Sequence, residues 1–238
     1  MVIECIGLPG SGKTYLMEKL DRQLRLREVE YVNVTANCAG KLTWKIGRRL
    51  ARALIFLSAD ARMLRKRMLG ILEEAGEHGS RFGIYRNADY TIRSLALYNY
   101  LYRRMIKTHT IYLFDEGMVH ALVKLCADLG FSDENFRKMA QISEQGIHMS
   151  RLVILNEISR EDCFKSIRKR DRHVCEFDEL DDSQLSEILG EYERLNNAYR
   201  KDFTVMEVRR EEETPKKIGR IISRIRLLLE KAGERAGR

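Results

Sequence analysis

The segment GLPGSGKT, residues 7–14, constrains this chain more than any other feature. It is a full match to the phosphate-loop pattern G-x-x-x-x-G-K-[ST], and it sits where that pattern belongs, between a strand and a helix. Residues 2–7 (VIECIG) are mostly apolar or β-branched and then turn on Gly, which reads as a short buried strand. After the loop, Tyr15, Leu16, Leu20 and Leu24 recur at helical spacing. Gly10 and Gly12 let backbone N–H groups turn inward towards phosphate oxygens, and the start of the next helix adds to the anion site. Lys13, read as an exposed loop lysine, reaches the β- and γ-phosphates as a point charge, and the Thr14 hydroxyl is placed to ligate Mg²⁺. Gly7, Leu8, Pro9, Gly10, Ser11, Gly12, Lys13 and Thr14 are therefore the expected nucleotide-binding residues, with ATP and Mg²⁺ as cofactors. The alternative, a Gly-rich turn that only joins strand to helix, does not account for motif and context together.

Further strands are expected at residues 29–35 (VEYVNVT), 110–114 (TIYLF), 151–156 (RLVILN) and 203–208 (FTVMEV). Helices are expected near 118–129, 133–147, 159–170 and from 182 or 183 through about 199, with a last one opening at Thr214-Pro215. Ser132-x-x-Asn135 carries a weak capping signal. Strands alternating with helices imply an α/β fold with a parallel sheet and helices on both faces. The chain reads as one domain, 1–238. A helical insertion spans about 42–107, with stripes Ile46, Leu50, Ala53, Leu54 and Leu57, then Met63, Leu64, Met68, Ile71 and Leu72, then Ile92, Leu95, Ala96, Leu101 and Met105.

Asp115-Glu116 closes the TIYLF strand. Carboxyl ends of parallel strands face the ligand crevice. A carboxylate there can hold Mg²⁺ or accept the proton of an attacking hydroxyl; the alternative is a helix N-cap. Asp115, directly after the strand, is expected nearer Thr14 and the metal, and Glu116 nearer an acceptor hydroxyl. Arg168, Arg170 and Arg172 alternate with Lys169 and Asp171 at a helix end. Their guanidinium forks suit the charge of a transferring phosphoryl group; the alternative is basic charge that complements the helix dipole.

Composition narrows the class. Hydrophobic residues make up 44% and charged residues 33%, which excludes a disordered chain. The net charge of +8 favours polyanions without choosing among them. Cys5, Cys38, Cys126, Cys163 and Cys175 form no CxxC pair or zinc pattern and read as reduced thiols. His109, His120, His148 and His173 lack ligand spacing, so metal binding by histidine is not expected. Trp44 and Tyr98, Tyr100 and Tyr102 read as packing residues. The N-terminal stretch lacks a signal-peptide pattern and the apolar stretch at 50–57 is too short to span a bilayer, so a cytoplasmic protein is expected.

The run ILNEISREDCFKSIRKRDR, with the acidic stretch, helix, FTVMEV strand and last helix that follow, resembles the thymidylate kinase and deoxynucleoside kinase group. The resemblance covers residues 2–20 and roughly 110–229. It implies a five-stranded parallel sheet of order 2-3-1-4-5 and a lid at about 168–182 whose arginines, Arg168, Arg170 and Arg172, close over ATP phosphates. It also places Asp115 or Glu116 on the acidic position after strand three, and the stretch 208–212 beside adenine. The group's acid-Arg pair is Asp115-Glu116-Gly117 here, and the insertion is expected to build its own acceptor pocket. Tyr85, Arg86, Asp89 and Arg93 are the acceptor candidates; the alternative is a solvated face with an Asp89–Arg93 i,i+4 pair.

The reading is an ATP-dependent small-molecule kinase: Lys13, Asp115, Glu116, Arg168 and Arg172 do the chemistry, and Thr14 and Asp115 hold the metal. A nucleoside or nucleoside monophosphate is the first acceptor class. A kinase of a sugar or similar molecule is the first rival, and an ATP-driven switch or binding protein the second. A sulfotransferase is disfavoured by the intact GKT. No stable nucleic-acid partner and no membrane span are expected, and homodimerisation is left open.

Overall fold

The computed structural model describes residues 1–35, 58–76, 79–84, 88–108, 110–147, 151–169 and 176–236. The expected stripe at 46–57, Trp44, Tyr85, Arg86, Arg170, Arg172, Cys38, Cys175, His109, His148 and His173 lie outside them.

Five strands, β1 (Val2–Ile6), β2 (Tyr31–Asn33), β3 (Ile111–Phe114), β4 (Arg151–Glu157) and β5 (Val205–Arg209), form one parallel sheet of order β2-β3-β1-β4-β5. This is the expected order. β1 lies at the centre, with Val2 opposite Tyr112 of β3 and Arg151 of β4. A central parallel strand is covered on both faces, which is why β1 is buried along its whole length.

Side chains alternate along β1. Ile3 and Cys5 join one core layer with α1 (Lys13–Leu26) and α8 (Thr214–Ala236). Val2 and Ile6 join the opposite layer, built with α2 (Ala59–Glu74), α3 (Ala88–Met105), α4 (Met118–Leu129), α5 (Asp133–Glu144), α6 (Arg160–Arg168) and α7 (Asp182–Asp202). Thus α2 and α3, the described part of the insertion, share the core of the sheet.

Local signals fix the helix starts. Ser132 Oγ accepts the Asn135 N–H, as the sequence indicated. Ser159 caps α6 in the same way, and Asp181 with Gln184 makes a full capping box for α7. The expected strand at 29–35 is shorter, at Tyr31–Asn33, because Val34 and Thr35 already turn helical. Met68 is core as expected, whereas Met63, expected in the same stripe, is 55% exposed, because its neighbour Leu64 takes the inward position. Tyr98 and Tyr102 pack with Phe114 of β3. Cys5, Cys126 and Cys163 are buried free thiols. Among the described residues no helix is long and apolar enough to cross a membrane.

Candidate active site

The loop between β1 and α1 lies at the carboxyl edge of the sheet. Gly7, Gly10 and Gly12 have φ of 140°, 91° and 86°, where a side chain is strained. Gly12 is the N-cap of α1 and offers no capping side chain. The first N–H groups of α1 are therefore left for an anion. Ser11 is fully buried, and its Oγ has no hydrogen-bond partner.

Two residues that sequence reasoning missed hold the loop in place. Asn156, at the end of β4, donates from Nδ2 to the Ser11 carbonyl at 2.7 Å. Cys163 of α6 donates its thiol to the Pro9 carbonyl. A polar residue ending the apolar run RLVILN was the available signal for Asn156; nothing local marks Cys163. A Cβ on Gly7 would lie 2.6 Å from the Asn156 carbonyl oxygen, a backbone atom. Gly7→Ala therefore meets both a clash and a forbidden φ. The expected cost is about 1–3 kcal/mol, with nucleotide binding lost as β4 and the loop separate; thermal unfolding and nucleotide titration measure the two effects.

Lys13 is buried, at 6% exposure, which corrects the reading of an exposed loop lysine. Its Nζ donates to the Leu8 carbonyl at 3.0 Å and to the Gly7 carbonyl at 3.4 Å. The ammonium is thereby held across the mouth of its own loop.

The Thr14 hydroxyl donates to Asp115 Oδ2 at 2.7 Å. The Asp115 N–H is bound by Thr35 Oγ1 at 3.0 Å, so the end of β3 is also fixed from just after β2. Burial pushes the Asp115 carboxyl above its ordinary range, and the Thr14 hydroxyl and Lys13 pull it down while Glu116 adds to the rise. Asp115 Oδ1 is buried without a hydrogen-bond partner. An unpartnered carboxylate oxygen beside a threonine hydroxyl is a hard-oxygen donor set, which suits Mg²⁺ completed by phosphates and water. No group of three or more His, Cys, Asp or Glu that could hold a metal exists among the described residues.

Glu116 points out, 63% exposed, with Oε1 3.4 Å from His120 Nε2. His120 lies one turn into α4 and is 8% exposed. Burial, then Lys13 and Lys124, hold its imidazole well below the usual range, so it is neutral at pH 7.

Arg168, expected in the lid, spends its guanidinium on the Leu180 carbonyl at 2.8 Å and on Asp182, with its plane near the Phe164 ring. It ties the end of α6 to the start of α7. The acceptor candidates Asp89 and Arg93 form the i,i+4 pair, and Arg65 of α2 binds the other Asp89 oxygen at 2.8 Å. A cleft of about 310 Å³ opens beside the loop, lined by Gly7, Asn156, Glu157, Asn196, Arg209 and Glu211.

The five-stranded parallel sheet of order β2-β3-β1-β4-β5 belongs to a fold similar to that of solved deoxyadenosine kinase structures. One similar solved structure is a deoxyadenosine kinase from M. mycoides with bound dATP, at TM-score 0.50 and 14% identity over 95% of this chain and 100% of that one. Another is a deoxyadenosine kinase from M. mycoides with the products dCMP and a flexible dCDP bound, at TM-score 0.50 and 13% identity over 95% of this chain and 99% of that one. At these identities the shared property is the fold. No protein-family model and no curated protein matches the chain.

Proposed function

We propose that this chain is an ATP-dependent phosphotransferase that moves the γ-phosphoryl of Mg-ATP to a small acceptor, a nucleoside or nucleoside monophosphate first. The observation that carries the reading is the contact of Thr14 Oγ1 with Asp115 Oδ2 at 2.7 Å, across the crevice from a complete phosphate loop. The loop N–H groups and Lys13 bind the triphosphate, and Lys13 swings from the Leu8 carbonyl to phosphate oxygens when they arrive. Thr14 and Asp115 would hold Mg²⁺, which when bound supplies positive charge to the β- and γ-oxygens. Such catalysis is positioning and charge stabilisation. Arg168 ties the end of α6 to Leu180 and Asp182; a lid role for Arg170 and Arg172, which lie outside the described residues, rests on the family resemblance alone. Arg209 and Glu211 stand on the side where the base of ATP would rest. The fold likeness to a deoxyadenosine kinase makes nucleosides and their monophosphates the first acceptors to try.

For a hydroxyl acceptor, Glu116 takes the proton as the O–P bond forms; a phosphate acceptor, already ionised, needs no base. Glu116→Gln is therefore expected to lower kcat by about a hundredfold with a hydroxyl acceptor and to leave ATP affinity unchanged. Asp115→Asn is expected to raise the Mg²⁺ concentration needed for half-maximal rate by at least about tenfold. Mg²⁺ titration of both variants separates the roles. Wild-type rates and metal dependence in both would take the acidic strand end out of the chemistry; it is not a helix cap either, since Gly117 holds the N-cap of α4 and no side chain caps it.

The reading itself is tested by ATP consumption across nucleosides, nucleoside monophosphates and sugars. Turnover that rises only with a nucleoside or its monophosphate is the expected result. Stimulation by sugars alone would move the acceptor to another class, and acceptor-independent turnover would make the chain a switch.

A further inference from the structure

Glu4 sits in the middle of β1 on the face of Val2 and Ile6, with no exposed surface. Apolar side chains fill that face, and a carboxylate there needs an explanation. Its Oε1 lies 2.8 Å from Arg151 Nη1, at the start of β4. Arg151 also donates to Glu144 at the end of α5 and to the Tyr199 hydroxyl of α7, and Tyr199 donates to Glu144 at 2.6 Å. One guanidinium thus serves two buried carboxylates. Apolar residues of similar volume fill such positions at equal or lower cost. Stability alone does not account for Glu4.

The other oxygen points to its use. Glu4 Oε2 accepts the N–H of Val119 at 3.0 Å. Beside it, the Tyr102 hydroxyl of α3 accepts the N–H of Met118 at 3.3 Å. These are first-turn N–H groups of α4, which a helix cannot satisfy internally. The N-cap of α4 is Gly117, which has no side chain to do so. A Cβ on Gly117 would lie 2.1 Å from Glu4 Oε2 and 2.6 Å from the Tyr102 hydroxyl. The turn that carries Asp115 and Glu116 is therefore laid directly on the Glu4 carboxylate. The strand that carries Glu4 runs on into Gly7 and the phosphate loop. Glu4 thus gives the two motif-bearing segments a second, buried link beside the contact of Thr14 with Asp115.

We propose that Glu4 is a positioning residue: a β1 carboxylate that fixes the start of α4, and with it Asp115 and Glu116, relative to the phosphate loop. Its consequence for catalysis rests on the kinase reading above; its hold on α4 does not. The groups facing it are Arg151, Glu144, Tyr102 and Tyr199 together with the N–H groups of Met118 and Val119. Burial raises the Glu4 carboxyl to about 7, against the pull of Arg151 and the two N–H groups.

The test compares wild type, Glu4→Gln and Glu144→Gln at pH 8, where Glu4 is ionised. Glu144 shares Arg151 and takes its hydrogen bonds from Arg151 and Tyr199 rather than from α4, so it reports the cost of disturbing the network alone. Amide exchange at Val119, read by NMR on the whole protein, is expected to accelerate at least about tenfold in Glu4→Gln and to stay within about twofold in Glu144→Gln. With a working acceptor, Glu4→Gln is expected to lower kcat at least about tenfold and leave KM for ATP within about twofold. Unchanged Val119 exchange in Glu4→Gln, or equal acceleration in both variants, overturns the proposal. If Glu4→Gln does not fold, wild type decides: the Val119 amide proton shift should titrate with a midpoint near 7, and a flat shift overturns the hold on α4. If no acceptor stimulates wild-type turnover, the kinase reading fails, and the amide measurements alone support or overturn Glu4.

Discussion

Lys13→Ala is expected to abolish ATP turnover, lowering it by about a hundredfold to a thousandfold or more, a loss of about 3–4 kcal/mol of barrier stabilisation. No other described cation hydrogen-bonds the loop carbonyls of Gly7 and Leu8 from within the loop. Removing the ammonium leaves the glycine-shaped cradle without its point charge. The fold should persist. The two hydrogen bonds lost come from a charged donor and are worth about 1.5–3 kcal/mol each, but alanine also removes the cost of burying the ammonium, so the melting temperature should fall by no more than a few degrees. Turnover and thermal unfolding measured on the same preparation check both halves. Wild-type turnover would falsify the phosphate-loop assignment, and a collapse of stability without nucleotide would make Lys13 a structural residue.

Arg151→Met is expected to have the largest effect on stability. Arg151 is 9% exposed and is shared by Glu4, Glu144 and the hydroxyl of Tyr199. Its neighbours hold it charged at all working pH values. Without it two buried carboxylates face each other unpaired, which costs about 3–5 kcal/mol. In a chain of this size that lowers the melting temperature by about 6–20 °C. The pH dependence has a definite sign. Glu4 rises from an ordinary value of 4.5 to about 7 in the folded protein. A raised carboxyl contributes stability fully present below 4.5 and lost as pH rises through about 7. Wild type should therefore lose up to about 3 kcal/mol from Glu4 between those values. Arg151→Met should lose more, because Glu4 then ionises without its cationic partner, and acid should restore part of its stability. Urea unfolding at pH 5, 6, 7 and 8 measures this. A pH-independent difference between the two proteins would show that the carboxylates are not the source of the cost.

Some of this was legible in residue order, and the physical reasons separate the parts. GLPGSGKT was legible because each residue type in it answers a local need: φ > 0 at Gly10 and Gly12, a cation at Lys13, a hydroxyl at Thr14. The helix starts at Ser132 and Ser159 were legible for the same reason, since a cap bonds an N–H three residues on. The acidic end of β3 was legible as a pair, since both acids follow one apolar strand. That Asp115 lies nearer Thr14 was expected from its place directly after the strand, and it reaches the Thr14 hydroxyl 101 positions away; the contact of Glu116 with His120 was not written locally.

By itself, then, the sequence determined the alternation of strands and helices and the glycine-shaped loop between β1 and α1, because both are set by neighbours within a few residues. The sheet order came through family resemblance, and the chain pairs its strands that way. Only the tertiary structure decided how the loop is held and which neighbour Glu116 meets. Asn156 and Cys163 reach the loop from β4 and α6, Arg168 turns to Leu180 and Asp182, and Glu4 meets the start of α4. Glu4 reads in sequence as a polar interruption of a buried strand. Its meaning depends on Arg151, Tyr102 and Val119, brought to one point by the parallel pairing of β1 with β4 and by helices packed across them. Contacts between residues so far apart in the chain leave no spacing for a reader of the sequence to find, because it is the burial of the two layers that creates them.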